Sequence, residues 1–398
     1  MKSILTLVLV LLLAGGMSFV VWQGLAVLGG SGARPPARPP DRAPQRMPQG
    51  AQQPAFAGEE PVAAPAGVPW AVRNAQGIEA LEAEDLEAAL EAFEECHLGD
   101  PHEPIYAGNL AEALKRKAVR LHAAGEAAGR DAALALLARA VELNPGRAEL
   151  SLTLGRWTRS ARAEEGFFTE TRAHIEVAYD LNRSEVRSEI RAVGDLLEDA
   201  YMEFGESFGF WPVEDGRPRI RVVLYTRSDF DAVTGIGEWA GGVYDGTIRV
   251  PVGDLTRELS SLSRVLRHEL LHAFVQEAGG THVPGWLNEG LAQWLENEQV
   301  AARDQAVSRA RSKLQGVELF DLEVLHGSVA SWTDTQAIER AYSQSLALVA
   351  YVESQYGDRV VYEMVTRCKD DALAADTFRA RIGISLDVVQ EDLARELQ

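Results

Sequence analysis

The hydrophobic positions at the start of the chain form an almost unbroken run from Ile4 to Val21. No charged residue occurs between Lys2 and Arg34, and a charge-free stretch of about 25 residues is long enough to cross a bilayer as a helix. This pattern predicts a single transmembrane anchor over residues 1–30. A cleaved signal peptide is the alternative, because small residues of the kind that cleavage requires follow the first part of the run. Either element would direct the protein to a membrane.

Residues 71–184 show a second pattern, in which Ala, Leu and Glu recur with helical spacing. Three similar apolar stretches, each followed by a helix-stop signal, recur about 40 residues apart, as in stacked helix pairs. They are Ala88–Phe93, Ala132–Leu137 and Ile175–Tyr179. We expect an all-α repeat region in which Ile175–Tyr179 belongs to the last helix. Such stacks present a concave groove for a peptide or a protein partner. The alternative is a helical spacer that packs on the next domain.

Strand and helix patterns alternate in residues 185–398, which predicts an α+β domain. Alternating β-branched residues over Ile220–Tyr225 predict a strand, and the Asp-Gly pair at 245–246 predicts a hairpin turn. Apolar positions spaced about 3.6 residues apart predict a helix over Thr256–Ala278, which a Gly-Gly pair would end. Amphipathic helices are expected to close the domain.

Composition adds a linker and an uneven charge distribution to this picture. Ten of the 17 prolines fall within residues 31–69, so residues 31–70 are expected to form an extended tether. The chain carries a net charge of −20, but residues 1–58 carry +4 and the remainder therefore carries −24. A body this acidic would repel phosphate backbones, which disfavours nucleic acid as a partner. The only two cysteines, Cys96 and Cys368, lie far apart, so the domains are not expected to depend on disulfides.

The charges around the predicted anchor favour two opposite orientations. Four arginines follow the anchor and only Lys2 precedes it, so the positive-inside rule would keep the body in the cytoplasm. The short start that Lys2 leads is instead typical of an export signal. We expect a single-pass protein whose body is extracytoplasmic.

The predicted helix over Thr256–Ala278 carries the sequence His268-Glu269-Leu270-Leu271-His272. Imidazoles at positions i and i+4 project from one face of a helix about a turn apart, which suits two ligand positions on one Zn²⁺. Glu269 lies about 100° around the helix from His268, so its carboxylate can act on a water at the metal without ligating it. The pattern predicts a zinc site on this helix with Glu269 as general base.

The segment Pro284–Glu296 contains the sequence Trp-Leu-Asn-Glu-Gly-Leu-Ala and predicts a second helix. Together with the His-Glu-x-x-His motif, it resembles the gluzincin metallopeptidases, especially the aminopeptidase-N-like branch and the peptidase-MA-like domains. The resemblance covers residues 186–398. It implies Glu289 as the third zinc ligand and a zincin-like fold with a small sheet and active-site helices. A metzincin is excluded, because Val275 and Ala278 stand where that class has Gly and His.

The same resemblance implies that Tyr342 donates a hydrogen bond to the oxyanion that develops during hydrolysis. The alternative is a tyrosine packed on Leu346 and Val349. The Gly-x-Met-Glu-Asn motif that holds a substrate's free amine in the aminopeptidases is missing, which puts an exopeptidase in doubt. Gly241–Tyr244 stands in its place and is expected to form a sheet edge, to which an extended substrate adds by main-chain hydrogen bonds.

Other polar residues are weaker candidates for the site. His282 and His326 are alternative donors to the oxyanion, and Gln293, one turn after Glu289, is a candidate for holding a ligand histidine. The remaining histidines fall in the repeat region and are expected to be surface or packing residues. They are His97, His102, His122 and His174.

The sequence therefore predicts a membrane-anchored zinc metallopeptidase whose helical repeats position a protein or peptide substrate or bind a protein partner. The run Ala133–Pro145, which resembles the second helix of a tetratricopeptide repeat, supports the expectation of repeats. A non-catalytic repeat scaffold with a residual zinc site is the alternative. The intact Glu269 disfavours it, because a decayed site most often loses its base. Zinc-assisted hydrolysis of a non-peptide amide is a third alternative.

Overall fold

The computed structural model describes residues 70–123, 127–213, 217–235, 241–253, 255–329, 332–370 and 373–398. The predicted anchor lies outside these ranges, as does the predicted linker apart from Trp70. Within the described ranges, no helix is both long and apolar enough to span a bilayer.

Five helices form the first part of the described chain: α1 Ala71–Glu82, α2 Leu86–Gly99, α3 Pro104–Ala123, α4 Ala127–Leu143 and α5 Ala148–Ala163. Each helix packs against the next, and apolar side chains fill the space between them. The Asp85 side chain accepts a hydrogen bond from the Ala88 backbone N–H, which caps α2 and separates it from α1. The helices predicted here are therefore confirmed as far as Ala163.

A five-stranded sheet follows in the described residues, with strands β1 Phe168–Thr171, β2 Ile175–Tyr179, β3 Ile220–Tyr225, β4 Val243–Tyr244 and β5 Ile248–Pro251. Their order is β1-β2-β3-β5-β4. The pairs β2–β3 and β3–β5 are parallel, and the outer pairs β1–β2 and β4–β5 are antiparallel. The predicted strand β3 and the predicted hairpin β4–β5 are confirmed, with Gly246 in the turn at φ +92°. β4 is an edge strand, as expected.

The expectation that Ile175–Tyr179 belongs to a repeat helix is wrong, because this segment is the strand β2. Its odd-numbered side chains point to one face of the sheet and enter the main core, whereas Ala178 packs on the opposite face. This alternating burial and the parallel pairing with β3 stabilise a strand where local propensity suggested a helix. β1 and β2 thus lie before the predicted domain boundary after residue 184, and that boundary stays a prediction.

Helices cover both faces of the sheet. α6 Ser184–Phe208 and α8 Leu255–Gly279 pack on the face of the main core, and α7 Arg227–Thr234 packs on the other face beside α5. The later helices are α9 Gly285–Leu295, α10 Val300–Leu314, α11 Thr335–Tyr356, α12 Asp358–Thr366, α13 Ala374–Ile382 and α14 Leu386–Glu396. Buried side chains of α9, α11 and α12 join the main core, so α8 lies between the sheet and the later helices. The predicted fold class, a mostly helical α+β arrangement with a small sheet, is confirmed at this level.

A buried ion cluster joins α5 to the sheet. Glu164, directly after α5, accepts hydrogen bonds from Arg221 Nη2 on β3 at 2.8 Å and from the Tyr225 hydroxyl. Arg249 Nη1 on β5 lies 3.4 Å from the same carboxylate. Burial alone would raise the pKa of Glu164, but the guanidinium groups of Arg249 and Arg221 lower it to about 2. The last helix of the first part is therefore fixed to the strands by charge as well as by apolar contacts.

Candidate active site

Two consecutive helices carry the candidate metal ligands. α8 carries His268, Glu269 and His272 and ends at Gly279, as predicted. A short 3-10 turn leads into α9, which carries Glu289 and packs against α8. The burial of α8 between the sheet and the later helices gives these side chains a rigid support.

The two imidazoles and the Glu289 carboxylate face one another. Glu289 Oε2 lies 3.5 Å from His268 Nε2 and 3.7 Å from His272 Nε2, and one potential ligand atom of each residue lies within 4.8 Å of the others. Glu289 Oε2 is buried and has no hydrogen-bond partner among the described residues. A buried carboxylate oxygen left unsatisfied between two imidazole nitrogens suits a cation with mixed nitrogen and oxygen ligands. The residues therefore fit zinc.

Polar side chains orient both imidazoles from behind. His268 Nδ1 lies 3.0 Å from Glu296 Oε2, and His272 Nδ1 lies 2.9 Å from Asn288 Oδ1. Because both partners are acceptors, each contact favours a proton on Nδ1 and leaves the Nε2 lone pair directed at the common centre. The sequence pattern did not predict either partner.

The prediction that Gln293 holds a ligand histidine is wrong, because Asn288 and Glu296 occupy both Nδ1 positions. Gln293 Nε2 instead donates hydrogen bonds to two backbone carbonyl oxygens, that of Glu289 at 3.2 Å and that of Tyr342 at 3.0 Å. Gln293 thus joins α9 to α11 at the site.

Glu269 is almost fully buried beside the three potential ligands, with 7% of its surface exposed. Burial raises its pKa to about 7 against the opposing effects of His268 and of the Tyr244 backbone. A methyl group at Gly242 would lie 3.0 Å from both Cγ and Oε1 of Glu269, so alanine there would push against the carboxylate. The carboxyl group can accept and release a proton near neutral pH.

Tyr342 lies on α11, near the carboxylates of Glu289 and Glu269. Burial, and then the charges of these two carboxylates, raise the pKa of Tyr342 well above its usual range. The phenol therefore stays protonated and can donate a hydrogen bond. Its ring also packs against the main core, and its role as a donor to an oxyanion stays a prediction.

The other histidines stand apart from the His–His–Glu cluster. His282 and His326, the alternative donors, are exposed and are not among the residues that the structure brings together there. Two of the histidines predicted to be surface or packing residues stack on aromatic rings: His122 on Trp157 and His174 on Tyr201.

α8, with its two histidines and a glutamate, lies beside the edge strand β4, and Glu289 lies on the following helix, which is consistent with a gluzincin-like peptidase domain. Residues 218–397 match the family model of the Peptidase MA superfamily, which supports this class and implies a protein or peptide substrate. None of the curated proteins compared with the chain matches it. The matched range begins just before β3, so α1–α6, β1 and β2 lie outside it.

Proposed function

We propose that the protein is a membrane-anchored, zinc-dependent metallopeptidase. The observation that carries the proposal is the cluster of His268, His272 and Glu289, whose potential ligand atoms face one another beside the buried carboxylate of Glu269. The two Nε2 atoms and the unsatisfied Oε2 would hold the ion. Zinc, when bound there, supplies a Lewis acid that polarises a carbonyl group and makes water more acidic.

Glu269 acts first as general base and then as general acid. Its carboxylate takes a proton from the attacking water and returns that proton to the nitrogen of the leaving amine as the amide bond breaks. The Tyr244 backbone favours the charged form of this carboxylate. The phenol of Tyr342 donates a hydrogen bond to the carbonyl oxygen, which becomes negative when water attacks the carbon.

An extended peptide would bind along β4. This strand lies at the edge of the sheet and next to Glu269, and an extended chain can add to a sheet edge through main-chain hydrogen bonds. The missing Gly-x-Met-Glu-Asn motif disfavours an exopeptidase, because the Glu of that motif holds the substrate's free amine in the aminopeptidases.

The remaining parts of the chain extend the proposal beyond the site. Residues 1–30 would tether the protein with its body outside the cytoplasm, and α1–α5, in a tetratricopeptide-like arrangement, would position the substrate or bind a protein partner. The alternatives are a non-catalytic scaffold with a residual zinc site and a hydrolase of non-peptide amides. The buried Glu269 beside the cluster favours an enzyme over the scaffold.

Glu269→Gln tests this proposal in the full-length chain. We expect about one equivalent of zinc in both wild type and variant, with cleavage of a denatured protein pool slowed about 10²–10⁴-fold in the variant, because Gln cannot take the proton. Zinc content is measured by elemental analysis and cleavage by mass spectrometry of the peptides. The matched control is Glu391→Gln, which changes an exposed carboxylate on α14 and should cleave as wild type does. Bound zinc without Glu269-dependent cleavage would favour the scaffold.

Glu296→Ala should weaken zinc binding about 10–100-fold, because His268 loses the carboxylate that fixes its ring. A competitive titration with a chromogenic chelator measures this affinity. Glu298→Ala, two residues further along and exposed, serves as the control and should bind zinc as wild type does. Affinities of the two variants within twofold of each other would contradict the orienting role of Glu296.

A further inference from the structure

β4 forms a wall of the candidate site but has little support of its own. It consists of two residues and pairs with β5 only through Val243 with Arg249 and Tyr244 with Ile248 in the described residues. β4 packs against α8, and a methyl group at Gly242, directly before β4, would lie 3.0 Å from Oε1 of Glu269. A small displacement of this strand would therefore move both the base and the edge proposed to bind substrate.

The turn after β4 is held by two arginines. Asp245 Oδ2 lies 3.3 Å from Arg156 Nη1, and Asp245 Oδ1 lies 3.3 Å from Arg249 Nε. The Asp245 side chain is only 11% exposed, so these charges interact with little screening from water. Arg249 belongs to β5, within the same hairpin, whereas Arg156 belongs to α5 and reaches the turn from outside the sheet.

A second contact brings the end of α5 to the same strand. Val243 packs in the small core on the outer face of the sheet, and Ala163 and Phe167, at and after the end of α5, pack against that core. Arg249 also donates hydrogen bonds to Ser160 of α5 at 3.0 Å and to Tyr225 at 2.9 Å. α5 thus contacts the β4–β5 hairpin through charge, hydrogen bonds and apolar packing.

We propose that Arg156 is a positioning residue: through its ion pair with Asp245, α5 holds β4 against Glu269. The helical region is then part of the support of the active site, in addition to any role in binding substrate or partner. The effect on hydrolysis rests on the proposed peptidase function, whereas the effect on the strand does not.

Arg156→Met in the full-length chain tests this role, because methionine keeps part of the aliphatic stem and removes the charge. We expect amide hydrogen exchange over residues 241–250 to accelerate about fivefold, as the turn loses one of its two ion pairs. We expect kcat/KM to fall about tenfold with unchanged zinc content. Arg156→Lys keeps the positive charge and should retain most of the wild-type protection from exchange and most of the wild-type kcat/KM. The matched control is Arg159→Met, an exposed arginine three residues along the same helix, which should leave both readouts as in wild type.

The possible outcomes test the positioning role of Arg156 separately from the proposed peptidase function. Unchanged exchange over residues 241–250 in Arg156→Met, or equal acceleration in Arg159→Met, overturns the positioning role. A lower melting temperature with wild-type exchange and kinetics also overturns it, because Arg156 would then serve only stability. If Arg156→Met accelerates exchange but the wild type shows no Glu269-dependent cleavage, the positioning of β4 is supported and the peptidase function is contradicted.

Discussion

A chain that begins at residue 185 is expected not to fold cooperatively, although it retains every residue of the candidate metal site. It lacks α1–α5, β1 and β2, and β3 then becomes an unpaired edge beside the apolar face of α6. The opposite face loses Ala163 and Phe167, which pack against the small core between the sheet and α7. An exposed apolar edge strand of this kind is a site of aggregation.

The expected loss of folding free energy is large compared with the total stability of a domain. Ile175, Val177 and Tyr179 of β2 are each at most 3% exposed. Burial of side chains of this size contributes about 1.5–3 kcal/mol each. A protein of this kind is stable by about 5–15 kcal/mol in total, so the loss of β2 alone removes much of that margin. Glu164 is lost as well, and Arg221 and Arg249 then lie side by side without the carboxylate that they share.

Circular dichroism and size-exclusion chromatography measure this outcome. The comparison is a chain that begins at residue 70 and keeps the whole described structure, which should unfold in one cooperative transition. A third chain that begins at residue 166 keeps β1 and β2 but not α5, and should be folded but less stable. If the chain of residues 185–398 melts within a few degrees of the longest chain, residues 185–398 fold without α1–α5, β1 and β2, and this prediction is wrong.

The candidate metal ligands could be predicted because their pattern is local. His268 and His272 lie one turn apart on one helix, and the helix ends where the glycine pair predicts. The hairpin β4–β5 is local as well, since its turn residues follow directly on one another in sequence. Glu289 lies on the next helix, and its place depended on the resemblance of the surrounding motif. Residues close together in sequence have few alternative arrangements in space. The sequence pattern alone therefore predicts the two histidines and the hairpin.

The support of the site could not be predicted, because it depends on partners far apart in sequence. Ile175–Tyr179 is a strand through pairing with β3, which begins at Ile220, and no local signal specifies that neighbour. Glu164 and Arg249 lie far apart in sequence, and each reads there as an ordinary solvated charge, so their ion pair could not be predicted. Glu296 gave a weak signal, since it follows Glu289 by about two helical turns and so shares its face.

Gly290→Ala is expected to destabilise the protein by about 1–3 kcal/mol and to weaken zinc binding, because it forces α9 away from α11. A methyl group at Gly290 would lie 2.4 Å from the Ser345 carbonyl oxygen and 2.6 Å from Val349 Cγ2. The first of these atoms is backbone in the middle of α11 and cannot turn aside. Helical propensity alone would favour alanine by about 1 kcal/mol, so the sign of the measured change decides which effect dominates.

Gly108→Ala supplies the matched control for this substitution. Gly108 lies inside α3, and a methyl group there would meet no atom of the described residues within 4 Å apart from its own helix backbone, so alanine should stabilise the protein by up to about 1 kcal/mol. Thermal unfolding of both variants measures the two opposite shifts. Because Glu289 directly precedes Gly290 and Gln293 ties α9 to Tyr342, displacement of α9 should also lower the affinity for zinc, measured by chelator competition. If Gly290→Ala keeps the melting temperature and zinc affinity of wild type, α9 can move away from α11 at no cost in stability. The close packing at Gly290 then does not hold Glu289 in place.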